Sequence, residues 1–138
     1  MRRDVPFDLA ASRAYLESRQ EQEYRIRERR RQAALADVRA AVQRVLPRFP
    51  AIRRAYIFGS VLRPGAMRAT SDVDIALEGE LDAETYFAVW RELEKTAEGW
   101  EIEVIELGPD LRFAASVRER GEWVYERTDP NVESGHRR

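Results

Sequence analysis

The feature that most constrains the fold is a change of period at residue 47. From Phe7 to about Leu46 the chain runs without a glycine or a proline and is rich in Ala, Arg, Glu, Gln and Leu, all good helix formers. Leu35, Val38, Val42 and Val45 or Leu46 recur at intervals of three and four, the spacing of a helix that lays one face on a core. Pro47 and Pro50 stop that pattern, and beyond them apolar residues alternate at a period of two. Arg54 to Phe58 reads as a short strand ending in the turn Gly59-Ser60, and Pro64-Gly65 marks a loop. Val73, Ile75 and Leu77 alternate with Asp72, Asp74 and Ala76 in a second strand with one apolar face. Asp82 can cap a helix running to about Glu98, with Tyr86, Phe87, Val89, Trp90 and Leu93 as its buried side and Gly99 as its stop. Trp100 to Leu107 reads as a third strand. Gly108-Pro109-Asp110 begins a helix to Gly121, and Trp123-Val124-Tyr125 is either a last short strand or a packed tail.

The order helix, strand, strand, helix, strand, helix gives an α/β (α+β) layer fold: a small mixed sheet with flanking helices, preceded by a long N-terminal helix. The expected division is a helical arm over 1–49, a domain over 50–128 and a disordered tail over 129–138. A body of under eighty residues is small enough to need packing from the arm or from a partner. At 138 residues the chain has no room for a second full-sized domain.

Composition removes several chemistries. Cysteine is absent and the only histidine is His136, which excludes disulfides, thiolate catalysis and cysteine-ligated zinc, and all but excludes histidine triads and histidine metal motifs. No apolar run approaches the ~20 residues needed to cross a bilayer, and Met1-Arg2-Arg3-Asp4 does not begin a signal peptide, so a cytoplasmic location is expected. Charge is divided: Met1 to Arg54 carries +7 and Ala55 to Arg138 carries −8. The segment Gln20 to Gln32 holds Arg25, Arg27, Arg29, Arg30 and Arg31, with only Tyr24 and Ile26 as sizeable apolar groups. It is expected to leave the body for solvent or a protein partner. Nucleic acid is the less favoured contact, because Glu21, Glu23 and Glu28 dilute the positive field.

The acidic side chains carry the chemistry. Gly59-Ser60 at a strand end allows close approach to a ligand, and its N–H groups and hydroxyl suit phosphate oxygens. Asp72 and Asp74, two apart on a strand, project from one face while Val73 and Ile75 enter the core. Two such hard oxygen anions suit Mg²⁺. A third carboxylate is expected from the next strand. With Ile102 and Val104 as its apolar pair, Glu101 and Glu103 face the opposite way and Glu106 does not, so Asp72, Asp74 and Glu103 can share one face. Taken singly, a Gly-Ser pair is a turn and an Asp-x-Asp is two solvated carboxylates. Their order and strand context give the combination its meaning.

Gly59-Ser60-Val61-Leu62-Arg63-Pro64-Gly65, Ser71-Asp72-Val73-Asp74 and Ile102-Glu103-Val104 together resemble the minimal nucleotidyltransferases of the DNA polymerase β superfamily. Their signature is Gly-Ser, a spacer, Asp-x-Asp and a later carboxylate. The resemblance spans about Arg53 to Glu126 and implies the polymerase β-like nucleotidyltransferase fold. It also implies Gly59, Ser60, Arg63 and Ser71 as nucleotide contacts, and Asp72, Asp74 and Glu103 as catalytic, Mg²⁺-holding groups. The spacer, Val61 to Ser71, is eleven residues, one more than the commonest form, and Glu103 stands where Asp is usual. Stand-alone minimal members resemble antitoxins paired with HEPN-domain ribonuclease toxins, which implies transfer of AMP from ATP to a hydroxyl of the toxin. The chain has no R-x-x-x-x-H motif, so it would be the transferase half. The alternatives are a catalytically weak module that neutralises its partner by sequestration, and nucleotidyl transfer to a small molecule.

Overall fold

The structure, a computed structural model, describes residues 8–128. In chain order the elements are α1 (Leu9–Val45), β1 (Ile52–Phe58), β2 (Val73–Gly79), α2 (Ala83–Thr96), β3 (Ile102–Glu106), α3 (Leu111–Arg120) and β4 (Glu122–Glu126), with single 3₁₀ turns at Leu46–Arg48 and Ser60–Leu62. The strands form one mixed sheet in the order β3-β2-β1-β4. β1 is antiparallel to both β2 and β4, and β2 and β3 are parallel, joined by α2. The expected α/β class with a long leading helix is what folds. Trp123 to Tyr125 lies within a strand rather than a tail, Tyr125 pairing with Ala55. The expected tail, 129–138, lies outside the described residues.

Local chemistry sets the boundaries. Asp8, Asp82 and Asp110 each cap a helix by accepting the N–H three residues on, at 3.0, 2.8 and 3.1 Å. α1 gives way to the 3₁₀ turn that contains Pro47. Its buried residues Ala34, Leu35, Val38, Ala41, Val42 and Val45 lie in the same cluster as Ile57, Val73, Ile75, Leu77, Ile102 and Val104 from the sheet and Val89 and Leu93 from α2. The opposite face of the sheet is covered only in part. There Tyr56 and Ala76 meet Val117 of α3, with Phe58, Ile105 and Leu107 around them. Ala76 is therefore fully buried although the alternation placed it on a polar face.

The free edge of β3 is closed by aromatic donors. Trp90 Nε1–H donates to the Ile102 carbonyl at 2.7 Å, and the Tyr86 hydroxyl donates to the Val104 carbonyl. These bonds satisfy outward carbonyls that would otherwise template another strand.

With 37 residues, α1 is about 55 Å long. Its residues from Leu9 to Ile26 are almost all exposed. The expectation that Gln20 to Gln32 leaves the body holds only for the N-terminal part of that segment. Tyr24, Glu28, Arg30 and Arg31 lie on the loop between β1 and β2. This contact surface consists of guanidinium, carboxylate and phenol groups, which a search for apolar periodicity does not register. Among the described residues no helix is long and apolar enough to cross a membrane.

Candidate active site

Phe58 ends β1, and the chain then turns through Gly59 at φ +89°, where a side chain is strained. A Cβ on Gly59 would also stand 2.5 Å from Asp74 Oδ2. Phe58 and Asp74 are register partners across β1 and β2, so the Gly-Ser turn and the Asp-x-Asp segment are in direct contact. The missing Gly59 side chain is the space that the Asp74 carboxylate occupies. Ser60, half-buried, opens the 3₁₀ turn, with Leu62 N–H donating to the Gly59 carbonyl at 3.1 Å and Arg63 N–H to the Ser60 carbonyl at 3.0 Å.

The strand register brings the acids together. Asp74 and Glu103 are partners on adjacent parallel strands, and partners in register project from the same face. Asp72 precedes β2 by one residue, and the fully buried Val73 separates it from Asp74. Asp72 and Glu103 are exposed and Asp74 is half-buried. Burial, then the negative charges of Glu103 and Asp72, push the Asp74 carboxyl up to about 6. Several other acids of this arginine-rich chain are paired: Glu28 with Arg31, Glu78 with Arg54 and Arg118, Glu122 with Arg39, and Glu126 with Arg54. Asp72, Asp74 and Glu103 make no ion pair among the described residues.

Among the described residues no three His, Cys, Asp or Glu side chains are gathered closely enough to enclose a metal by themselves. Mg²⁺ does not require such a cage, because it retains waters and substrate phosphates and is bound by one or two carboxylates. The donor set here fits that ion: hard oxygens only, uncompensated charge, and one member held against a glycine.

The other residues expected from sequence are placed as follows. Arg63 is exposed on the loop after the 3₁₀ turn and makes no ion pair among the described residues. The Ser71 hydroxyl oxygen accepts Arg68 N–H at 2.8 Å and so closes the far end of the loop. Glu106 accepts Leu81 N–H at 3.4 Å, on the approach to α2. Phe58 meets Phe113 of α3 edge to face, their ring centres 6.0 Å apart, and forms an apolar wall on the face that carries Asp74.

Sequence reasoning missed the residues that hold the loop itself. Arg31, only 7% exposed, donates to the Val61 carbonyl at 3.0 Å and forks onto Glu28 at 2.9 and 2.8 Å. Glu28 in turn accepts Gly65 N–H, and these two partners hold its carboxyl down to about 2. The Tyr24 ring lies against Gly65, 2.8 Å from where a Cβ would sit, and Gly65 has φ +77°. Arg30 donates to the Ala69 carbonyl at 3.2 Å and stacks over Trp100 at 4.7 Å. Met67, at the centre of the loop, is fully buried. A Glu–Arg pair three apart was the available signal, but such pairs are ordinary on solvated helices.

The family described as "Polymerase beta, Nucleotidyltransferase" matches residues 41–130. No curated protein matches the chain at a significant level. Among solved structures, a mutant form of a toxin–antitoxin complex named MntA-HpeT is similar at 18% identity and a TM-score of 0.54, covering 70% of this chain and 78% of that one. A toxin–antitoxin crystallised with AMP-PNP is similar at 20% identity with the same TM-score and coverage. A tri-AMPylated HEPN toxin of Shewanella oneidensis in complex with its MNT antitoxin gives 17% identity and a TM-score of 0.49, covering 73% and 78%. At these identities the likeness is one of fold.

Proposed function

The chain belongs to the polymerase beta nucleotidyltransferase family, and from that premise we propose that it is a Mg²⁺-dependent transferase that moves AMP from ATP to a hydroxyl of a HEPN-type toxin and thereby acts as the antitoxin. The observation that carries this reading is the group of unpaired carboxylates Asp72, Asp74 and Glu103, of which Asp74 is pressed against Gly59 of the Gly-Ser turn. What sets these acids apart is their shared face and the burial and mutual repulsion that raise the Asp74 carboxyl, with no arginine brought in to relieve it. The toxin–antitoxin complexes that share the fold support the choice of partner.

Asp72, Asp74 and Glu103 would hold Mg²⁺, which supplies positive charge to a triphosphate and to departing pyrophosphate. In the transfer the acceptor oxygen bonds to the α-phosphorus as the bond to pyrophosphate breaks. Glu103, exposed beside Asp74, would complete the ligand set or take the hydroxyl proton. Gly59, Ser60, Arg63 and Ser71 line the turn and loop that would receive the phosphates. Phe58 and Phe113 form an apolar wall on one side. The site is open to solvent at Asp72 and Glu103, so the partner's own surface completes it and orients the hydroxyl.

ATP labelled at the α-phosphate should leave its label on the partner protein, whereas ATP labelled at the γ-phosphate should not. Label from the γ-position would instead mean phosphoryl transfer. Strand parity gives a second result. Glu103→Gln should lower transfer by about a hundredfold, the scale of losing one charge-stabilising group. Glu106→Gln, on the other face, should be nearly silent. The reverse pattern in rate assays would mean that β3 is displaced by one residue.

A further inference from the structure

Resting on the nucleotide reading above, we infer that Glu28 and Arg31 of α1 are positioning residues for the nucleotide: they grip the loop between the Gly-Ser turn and Asp72 at two points and so hold Ser60 and Arg63 in the phosphate-receiving arrangement. Both belong to the long helix and lie outside residues 41–130, the part that matches the family.

The two points of attachment are Val61, through its carbonyl, and Gly65, through its N–H. Arg63 stands midway between them and Ser60 immediately precedes the first. Arg31 and Glu28 are joined by a two-bond fork, so the two anchors share one rigid unit instead of acting through separate flexible side chains. Tyr24 packs on Gly65 from the same helix face. Beyond the grip, Met67 is sunk in the core and Arg30 holds Ala69. These anchors tie the loop to α1 and the core, and Arg63 is left exposed. An eleven-residue loop without these anchors would have to be ordered by the ligand on each binding event, at a cost in affinity.

A buried guanidinium for stability alone is an inefficient choice, since an ion pair of this kind gains little over an apolar replacement. Here it supplies direction: only a planar fork reaches a carbonyl and a carboxylate in one fixed geometry.

The test uses the full chain with Mg²⁺ and AMP-PNP as probe, calorimetry for affinity, and amide exchange at Gly65 for loop order. Arg31→Met and Glu28→Ala should speed exchange at Gly65 and weaken nucleotide binding about tenfold, as expected when preorganisation is lost. Tyr24→Ala, at a position already 43% exposed and therefore safe for folding, should act in the same direction by a smaller factor. Val38→Ala, a core truncation on the same helix, should lower the melting temperature and leave affinity unchanged, which separates positioning from general stability. Affinity as in the wild type for both Arg31→Met and Tyr24→Ala, with Gly65 exchanging faster, would overturn the inference. Failure of the wild-type protein to bind the probe would overturn the functional reading and this inference with it, and is read before any variant.

Discussion

Asp74→Asn is expected to abolish AMP transfer while making the metal-free protein more stable. The loss should be at least about a hundredfold, on the scale of removing one preorganised electrostatic group from a reacting centre. The gain follows from the carboxyl's surroundings: burial and the charges of Glu103 and Asp72 raise it to about 6, so its ionised form is disfavoured in the folded chain. A shift of that size corresponds to about 3 kcal/mol at full strength. Asp74 is only half-buried, so solvent screening reduces it to about 1 kcal/mol. The sign is fixed by linkage. A folded carboxyl raised above its ordinary value loses stability as pH rises from about 4 to about 6. The difference in melting temperature between Asp74→Asn and wild type should therefore be largest near neutral pH and vanish below the ordinary aspartate range. Scanning calorimetry at two pH values with a transfer assay checks both halves. An Asp74→Asn protein that transfers normally, or that melts lower at neutral pH, would contradict this account.

Gly59→Ala should also abolish transfer, with the opposite effect on stability. The alanine Cβ would stand 2.5 Å from Asp74 Oδ2, and the residue would have to hold φ +89°. With ψ at −156° the residue lies in a region essentially reserved for glycine, so the backbone strain alone is about 1–3 kcal/mol, and the carboxylate must leave its position. The two residues should be coupled. Combined with Asp74→Gly, the added Cβ has space and Gly59→Ala should cost only its backbone strain, giving a non-zero interaction in a double-mutant cycle. Additive effects would mean that the contact between turn and aspartate is not what ties the two motifs together.

Much of this site is legible in the sequence because strand alternation is rigid. Once Val73 and Ile75 are assigned to the core, Asp74 faces away, and the same reasoning on Ile102 and Val104 turns Glu103 toward it. The structure places the two in register. The helix starts at Asp82 and Asp110 are legible for a similar reason, since a capping aspartate before an apolar run has few other uses. β1 begins at Ile52, two residues before the expected start, because Ile52 and Arg53 lie outside the apolar run that marked the strand. The loop grip was not legible. Arg31 sits among four other arginines within seven residues, and nothing in its neighbourhood distinguishes the one that is buried. Its partners, Val61 and Gly65, contribute backbone atoms, which have no residue identity to read. The inner cover of Ala76 by α3 was hidden likewise, since alanine suits either face of a strand.

Transfer of AMP by these carboxylates to a protein partner is read most directly from mass. The measurement is the intact mass of a HEPN-type partner incubated with this chain, ATP and Mg²⁺, set beside the same mixture made with Asp74→Asn. The partner should be heavier by whole AMP units with the wild-type chain and unmodified with the variant. An unmodified partner in both mixtures, with nucleotide bound to the wild-type chain, would contradict AMP transfer and leave neutralisation by sequestration in its place.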